Sequence, residues 1–222
     1  MAQGRIAENY VRLRSSVPDH VTIVVAAKAR SPQQIAEAIE AGAEAIGENY
    51  VQEAEVAART LGGLARKVEW HMIGPLQRNK VNRALPLFQV IQTVDSAKLA
   101  QALDARASGP VRVYLEVNIA GEQTKSGVPQ SQVEDLLKAV SGLCHLRVEG
   151  LMTMEPYLED PEAARPYFRR MKELFDELKG RELPNVNLQV LSMGMTHSYK
   201  AAIEEGANMI RVGTAIFGPR QA

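Results

Sequence analysis

The sequence has little cysteine, no net charge and no long hydrophobic run, and each of these excludes a class of protein. Its 222 residues include one cysteine, Cys144, so no intramolecular disulfide can form, and the four histidines are too scattered for a metal site. The 26 basic and 26 acidic residues cancel, which argues against a general affinity for nucleic acid or anionic membranes. No apolar run approaches the roughly 18 residues of a membrane span. We therefore expect a cytoplasmic protein. We also predict a monomer in preference to a stable oligomer.

Eight runs of β-branched and apolar residues recur along the chain, and helical patterns separate them. This alternation predicts parallel strands joined by right-handed crossovers. An open doubly wound sheet would have a glycine-rich first turn, whereas AKARSP follows the first run. We therefore predict an α/β protein, a single (β/α)8 TIM-type barrel over residues 1–222, with an extra N-terminal helix up to about residue 16. The predicted strands cover residues 21–28, 44–49, 68–74, 90–95, 112–120, 146–154, 188–194 and 209–218.

A lysine, Lys28, ends the first predicted strand, VTIVVAAK. Side chains alternate along a strand, so Val24, Ala26 and Lys28 share one face. If that face points into the barrel, the small residues leave room beneath the lysine, and a desolvated amine is a better nucleophile toward an aldehyde. The alternative is a rim lysine whose stem lies along apolar surface.

Small residues end the last two predicted strands. Ser192 and Gly194 lie in LSMGM, and Gly213 and Thr214 lie in RVGTAIFG. The loops after strands 7 and 8 of such barrels often bind phosphate through backbone N–H groups. Two ordinary glycine turns are the alternative interpretation of this pattern.

Three further polar stretches stand out. Arg211 interrupts an apolar run and needs a partner, either Glu116 or Glu149 in a structural ion pair or an acceptor atom of a bound ring. The segment IGENYVQEA places Asn49 where strand 2 ends, and WHMIGPLQRNK places His71 on strand 3. By themselves, the two stretches favour a structural interpretation, with Asn49 as a loop residue and His71 as a core histidine.

Taken in order, AAK, GENYVQEA, WHMIGPLQRNK, KSG, GLMTM, LSMGM and IRVGTAIFG resemble the pyridoxal phosphate homeostasis proteins, barrels similar to the N-terminal domain of alanine racemases. The resemblance runs from about residue 21 to 218. It implies a fold-type III pyridoxal 5′-phosphate (PLP) barrel in which Lys28 forms a Schiff base with PLP. It further implies that Arg211 faces the pyridine nitrogen. The other residues that it places around the cofactor are Asn49, His71, Ser192, Gly194, Gly213 and Thr214.

The resemblance also implies a role in vitamin B6 homeostasis, in which the protein stores, buffers or delivers PLP without robust catalysis. Apo forms of PLP-dependent enzymes are then candidate partners. Alanine racemases of this architecture need a second domain and a partner subunit for a tyrosine base, whereas this sequence ends at Ala222, soon after the last strand. A racemase-like PLP enzyme is the alternative, and a Schiff-base aldolase or phosphate-sugar isomerase without PLP is a third hypothesis.

One departure from the family pattern follows LSMGM. The family usually has serine and then one or two acidic residues, whereas this chain has Thr196, His197 and Ser198. Thr196 is predicted to cap the next helix, but the acidic first turn that favours a helix dipole is missing. Downstream of strand 5, Lys125 is predicted to lie on the same barrel face as Lys28 and to assist PLP transfer.

Overall fold

Nine parallel strands alternate with helices in the computed structural model, which describes residues 5–122, 124–156 and 158–219. The strands are β1 (Thr22–Ala26), β2 (Ala45–Glu48), β3 (Glu69–Met72), β4 (Val90–Val94), β5 (Val111–Asn118), β6 (Val128–Pro129), β7 (Leu146–Thr153), β8 (Val186–Ser192) and β9 (Met209–Val212). The α-helices are α1 (Arg5–Ser16), α2 (Pro32–Glu40), α3 (Val51–Leu61), α4 (Val81–Ala84), α5 (Ala97–Asp104), α6 (Val133–Ser141), α7 (Arg165–Lys179), α8 (Tyr199–Glu204) and α9 (Thr214–Phe217).

Eight of these strands close into a barrel, which confirms the predicted fold. The strand order runs β4-β3-β2-β1-β9-β8-β7-β5, and pairing of β4 with β5 completes the circle. The two-residue strand β6 adds to the carboxyl end of β5, where Val117 lies opposite Val128. Because all pairings are parallel, the carboxyl ends of the strands meet at one mouth of the barrel.

Two apolar layers hold the barrel together. The larger layer lies between the strands and the surrounding helices, and it includes Ile6, Tyr10 and Leu13 of the predicted extra helix α1. The inner layer fills the barrel with Val24, Ala45, Ile73, Val90, Tyr114, Met152 and Met209. Val24 therefore faces inward, and Ala26 packs against the same inner layer, as the alternation along β1 predicts. Within the described ranges no helix is long and apolar enough to cross a membrane.

The last predicted strand is too long. The prediction gave residues 209–218, whereas β9 ends at Val212 and residues 214–217 form the short helix α9. Gly213 has φ −120° and ψ −66°, which takes the chain out of the strand, and the apolar residues after it turn toward the helical layer. Ile216 and Phe217 are buried there, and Asn9 of α1 donates a hydrogen bond to the Ile216 carbonyl over 2.9 Å. An apolar run cannot by itself distinguish a strand from a short buried helix.

Candidate functional site

Lys28 lies at the barrel mouth, in the turn that follows β1. It is half-buried, and its Nζ atom lies 5.2 Å from the ring centroid of Tyr50, which precedes α3. This distance is within the range of a cation–π contact. The amine is therefore held near the mouth by the loop that follows the neighbouring strand β2.

Arg211 is the central charged group inside the barrel, and only 5% of its surface is exposed. Its Nη1 donates to Ser192 Oγ over 2.7 Å, and its Nη2 donates to the Thr153 carbonyl over 2.6 Å. Burial lowers the pKa of Arg211, while the carboxylates of Glu155 and Glu116 act in the opposite direction. The guanidinium is thus oriented by two neutral oxygens.

Glu149, one of the two carboxylates suggested as a partner of Arg211, does not pair with it, and that prediction is wrong. Glu149 accepts a 2.7 Å hydrogen bond from Arg112 instead, at the opposite end of the barrel interior, where Arg112 also pairs with Glu69 over 2.6 Å. The other predicted partner, Glu116, contributes charge near Arg211, but no ion pair between them forms in the described part of the chain. Glu149 is an extra residue in the pairing of β7 with β5, because Val113 lies opposite Val148 and Tyr114 lies opposite Gly150, and sequence alternation cannot anticipate such a bulge.

A chain of buried polar side chains extends from Arg211 across the barrel. Ser192 Oγ donates to Gln92 Oε1 over 2.8 Å, and Gln92 Nε2 lies 2.8 Å from His71 Nδ1. Burial lowers the pKa of His71, so its imidazole is neutral at neutral pH and accepts from Gln92 through Nδ1. His71 Nε2 then lies 3.5 Å from Glu69 Oε2. Among the described residues, Gln92 and Ser192 connect His71 to Arg211.

The two glycine turns lie beside Arg211, at the carboxyl ends of β8 and β9. The backbone N–H of Arg211 donates to the Gly194 carbonyl over 3.0 Å, and Gly194 has φ +93°. A Cβ atom at Gly194 would lie 2.5 Å from Ala202 Cβ, and one at Gly213 would lie 2.8 Å from the Ala26 carbonyl oxygen. Both positions therefore require glycine, and Gly213 packs its backbone against the end of β1.

The acidic charge that is missing from the start of α8 is supplied by Glu155, from the loop after β7. Ser198 Oγ donates to Glu155 Oε1 and accepts a 3.0 Å hydrogen bond from the Met195 N–H. Thr196 is not the helix cap that was predicted, because Ser198 occupies the N-cap position of α8. Thr196 Oγ1 instead accepts from the N–H of Ala215 in α9 over 3.4 Å, and so connects the two glycine turns.

Two other buried carboxyl groups lie close to the site. Burial and the nearby Asp95 raise the pKa of Glu116 to about 7, although the charge of Arg211 lowers it. Burial and the charge of Glu53 raise the pKa of Glu48, at the end of β2, to about 8. At neutral pH, Glu48 is therefore mostly protonated.

The structure gathers most of the predicted residues at one mouth. Ser192, Gly194 and Arg211 contact one another, and Gly213 packs against the end of β1, two residues before Lys28. Asn49 follows β2, and its backbone packs closely against Gly74. A Cβ atom added at Gly74 would lie 2.5 Å from the carbonyl oxygen of Asn49. Thr214 is exposed at the start of α9.

Two residues of the site were missed by the sequence analysis. Gln92 interrupts the apolar run VIQTV just as Arg211 interrupts its own, so a buried polar residue could have been suspected there. Glu155 lies in a loop with no regular pattern, and nothing in its sequence neighbourhood indicates that it is 4% exposed.

Comparison with known proteins agrees with this geometry. Residues 2–221 match the family described as alanine racemase, N-terminal domain. A protein of Aquifex aeolicus named pyridoxal phosphate homeostasis protein is 44% identical over 199 residues, which cover 88% of this chain and 86% of the relative. The protein of the same name from Haemophilus influenzae is 38% identical over 203 residues, covering 90% and 85% of the two chains.

Solved structures show the same architecture. PipY of Synechococcus elongatus, solved with PLP bound, has a TM-score of 0.88 at 33% identity, covering 96% of this chain and all of the other. Alanine racemase of Corynebacterium glutamicum has a TM-score of 0.72 at 21% identity and covers 97% of this chain and 60% of that enzyme, a similarity of fold alone. The chain is therefore a member of the alanine racemase N-terminal domain family, and its relatives within that family are the pyridoxal phosphate homeostasis proteins.

Proposed function

We propose that this protein binds pyridoxal 5′-phosphate covalently through Lys28 and takes part in intracellular PLP homeostasis as a carrier or buffer. The observation that carries the proposal is the meeting of three features at one barrel mouth: the Lys28 amine, the buried Arg211 guanidinium and two bare glycine turns. The names of the relatives and the PLP bound to PipY support the same assignment.

The residues at the mouth fit the chemical groups of the cofactor. PLP supplies an aldehyde that forms a Schiff base with an amine, a pyridine ring and a phosphate. Gly194, Gly213 and Thr214 expose the backbone and a hydroxyl to a phosphate, and Asn49 borders the same mouth after β2.

Ser192 and His71 act at a distance in this proposal. The hydroxyl of Ser192 already accepts from Arg211 and donates to Gln92, so its role is to orient the guanidinium. His71 supports that arrangement through Gln92.

Arg211 is the reason to favour a carrier over a catalyst. Its two observed hydrogen bonds go to neutral oxygens, and no carboxylate in the described ranges pairs with it, so its charge remains available to an acceptor in the mouth. An arginine stays protonated and can only donate, which disfavours protonation of a pyridine nitrogen beside it. A neutral pyridine is a weak electron sink, so amino-acid chemistry on the ring is not promoted.

Borohydride trapping followed by peptide mapping tests the proposal. We expect wild-type protein to carry one reduced pyridoxyl group on Lys28 and to show an absorbance band that is lost in Lys28→Ala with the fold intact by circular dichroism. Lys125→Ala is the matched control and should retain the Lys28 adduct. A wild-type adduct on another lysine would refute the assignment.

Racemisation and transamination assays test the carrier role. We expect no substantial turnover of common amino acids by homogeneous protein. Robust racemisation of alanine that disappears in Lys28→Ala would establish the racemase-like alternative instead. The absorbance spectrum also separates both from an aldolase or isomerase without PLP, because only bound PLP gives a band near the visible.

A further inference from the structure

The segment that carries Lys28 is a tight turn with an unusual backbone. The N–H of Arg30 donates to the Ala27 carbonyl over 2.9 Å, so Lys28 and Ala29 are the two central residues of a four-residue turn. Ala29 has φ +59°, a left-handed conformation that non-glycine residues rarely adopt. In type II turns a positive φ is required at this third position, where glycine or asparagine is usual. Alanine therefore needs an external contact to keep this conformation.

That contact comes from Glu53 in the first turn of α3. The backbone N–H of Ala29 donates to Glu53 Oε2 over 2.9 Å. Counted from the N-cap residue Tyr50, Glu53 is the third helical residue, where a glutamate commonly reaches back to cap its own helix. Here the carboxylate is directed instead to a different segment, the turn beside Lys28.

The hydrogen bond fixes the peptide between Lys28 and Ala29. The common type I turn differs from type II mainly by a flip of this central peptide, and alanine by itself prefers type I. After such a flip, the Lys28 carbonyl would face the Glu53 carboxylate, and the Ala29 N–H would point away from it. The carboxylate therefore favours the observed orientation and disfavours the alternative.

We propose that Glu53 is a positioning residue for Lys28, which it holds ready for reaction by fixing the Lys28–Ala29 peptide through the Ala29 N–H. The same helix start also supplies Tyr50, whose ring lies 5.2 Å from Lys28 Nζ, so both the backbone and the side chain of Lys28 contact this region. The inference rests on the proposed function of Lys28 as the amine that binds PLP.

The neighbouring carboxyl group is consistent with this role. Glu48 lies at the end of β2 and is 1% exposed, and its Oε2 atom has no hydrogen-bond partner among the described residues. Burial and the charge of Glu53 raise the pKa of Glu48 to about 8, so Glu48 is mostly protonated at neutral pH. The carboxylate that contacts the turn is therefore that of Glu53 and not that of Glu48.

The first experiment measures the rate at which Lys28 is labelled by PLP and borohydride in cofactor-free protein, together with amide hydrogen exchange of Ala29. Glu53→Ala should slow labelling about fivefold and speed exchange of the Ala29 amide by a similar factor, the size expected for the loss of one ordinary hydrogen bond. Glu53→Gln retains an acceptor oxygen and should remain within about twofold of wild type.

Glu55→Ala is the matched control on the same helix. Glu55 accepts a 2.9 Å hydrogen bond from Arg83, and its loss should leave Lys28 labelling unchanged. A Lys28 labelling rate in Glu53→Ala equal to that of the wild type would overturn the inference. Labelling in Glu53→Gln as slow as in Glu53→Ala would also overturn it, because the effect would then come from charge and not from the hydrogen bond.

A second variant tests the backbone explanation directly. Glycine adopts a positive φ without steric cost, so Ala29→Gly should restore most of the labelling rate in the Glu53→Ala background. Failure of this rescue in a folded double variant would refute the conformational explanation. The inference and the proposed function fail in different ways: an adduct that never maps to Lys28 in wild type defeats the function, whereas Lys28 labelling that ignores Glu53 defeats only the inference.

Discussion

Replacement of Glu48 by glutamine is expected to stabilise the protein by an amount that increases with pH. Glutamine has nearly the shape of a protonated glutamate and does not titrate. Glu48 is 1% exposed at the end of β2, and burial is the largest cause that raises its pKa from the ordinary 4.5 to about 8. The buried, ionised carboxylate is therefore the state that the substitution removes.

The magnitude follows from the pKa difference. Between pH 4.5 and about pH 8 the unfolded chain has released the proton, whereas the folded protein retains it. The free energy of unfolding of the wild type therefore falls with rising pH, relative to the variant, by about 1.4 kcal/mol per pH unit. The difference is small below the unfolded pKa and levels off at about 5 kcal/mol above the folded pKa.

Urea denaturation of both proteins at intervals between pH 4.5 and pH 9 measures this difference. The two curves of stability against pH should diverge steadily and become parallel near pH 8. Glu53→Gln in the wild-type background should move the end of the divergence to lower pH, since the Glu53 charge is the second cause of the raised pKa. Curves that stay parallel over the whole range would refute the burial of an ionisable Glu48.

Three further predictions concern the barrel mouth. Glu116→Gln should also raise the free energy of unfolding relative to the wild type, by an amount that increases with pH and levels off near pH 7. Urea denaturation over the same pH range measures this difference. Gly194→Ala should lower the free energy of unfolding by about 2 kcal/mol and weaken PLP binding, because Gly194 has φ +93° and a Cβ atom there would lie 2.5 Å from Ala202 Cβ. Gly109→Ala is the control: a Cβ atom at Gly109 meets nothing within 4 Å, so stability and PLP binding should not change. Lys125→Ala should leave the Lys28 spectrum intact but slow PLP delivery to an apo-enzyme at low ionic strength, and unchanged transfer kinetics would make Lys125 an ordinary loop lysine.

The sequence by itself determined the barrel and the position of the candidate site residues at its mouth. Strand periodicity located all eight barrel strands, and the parallel arrangement brought Lys28, Gly194 and Gly213 to the same mouth. The break in the apolar run at Arg211 marked a buried charge, which the structure confirms. These features can be predicted from sequence because the periodicity of a strand, and a polar residue that interrupts an apolar run, are both properties of one short segment.

Only the tertiary structure decided which side chains meet. Arg211 was expected either to pair with Glu116 or Glu149 or to face a bound ring. Its observed hydrogen bonds go to Ser192 and Thr153, from two other strands. Register in a closed barrel depends on the bulges and shifts of every strand, so no single segment specifies the partner that lies opposite it. The same holds at Lys28, where the sequence placed the amine at the end of a strand, but Glu53 reaches the turn only because β1 and β2 are adjacent and α3 begins beside them.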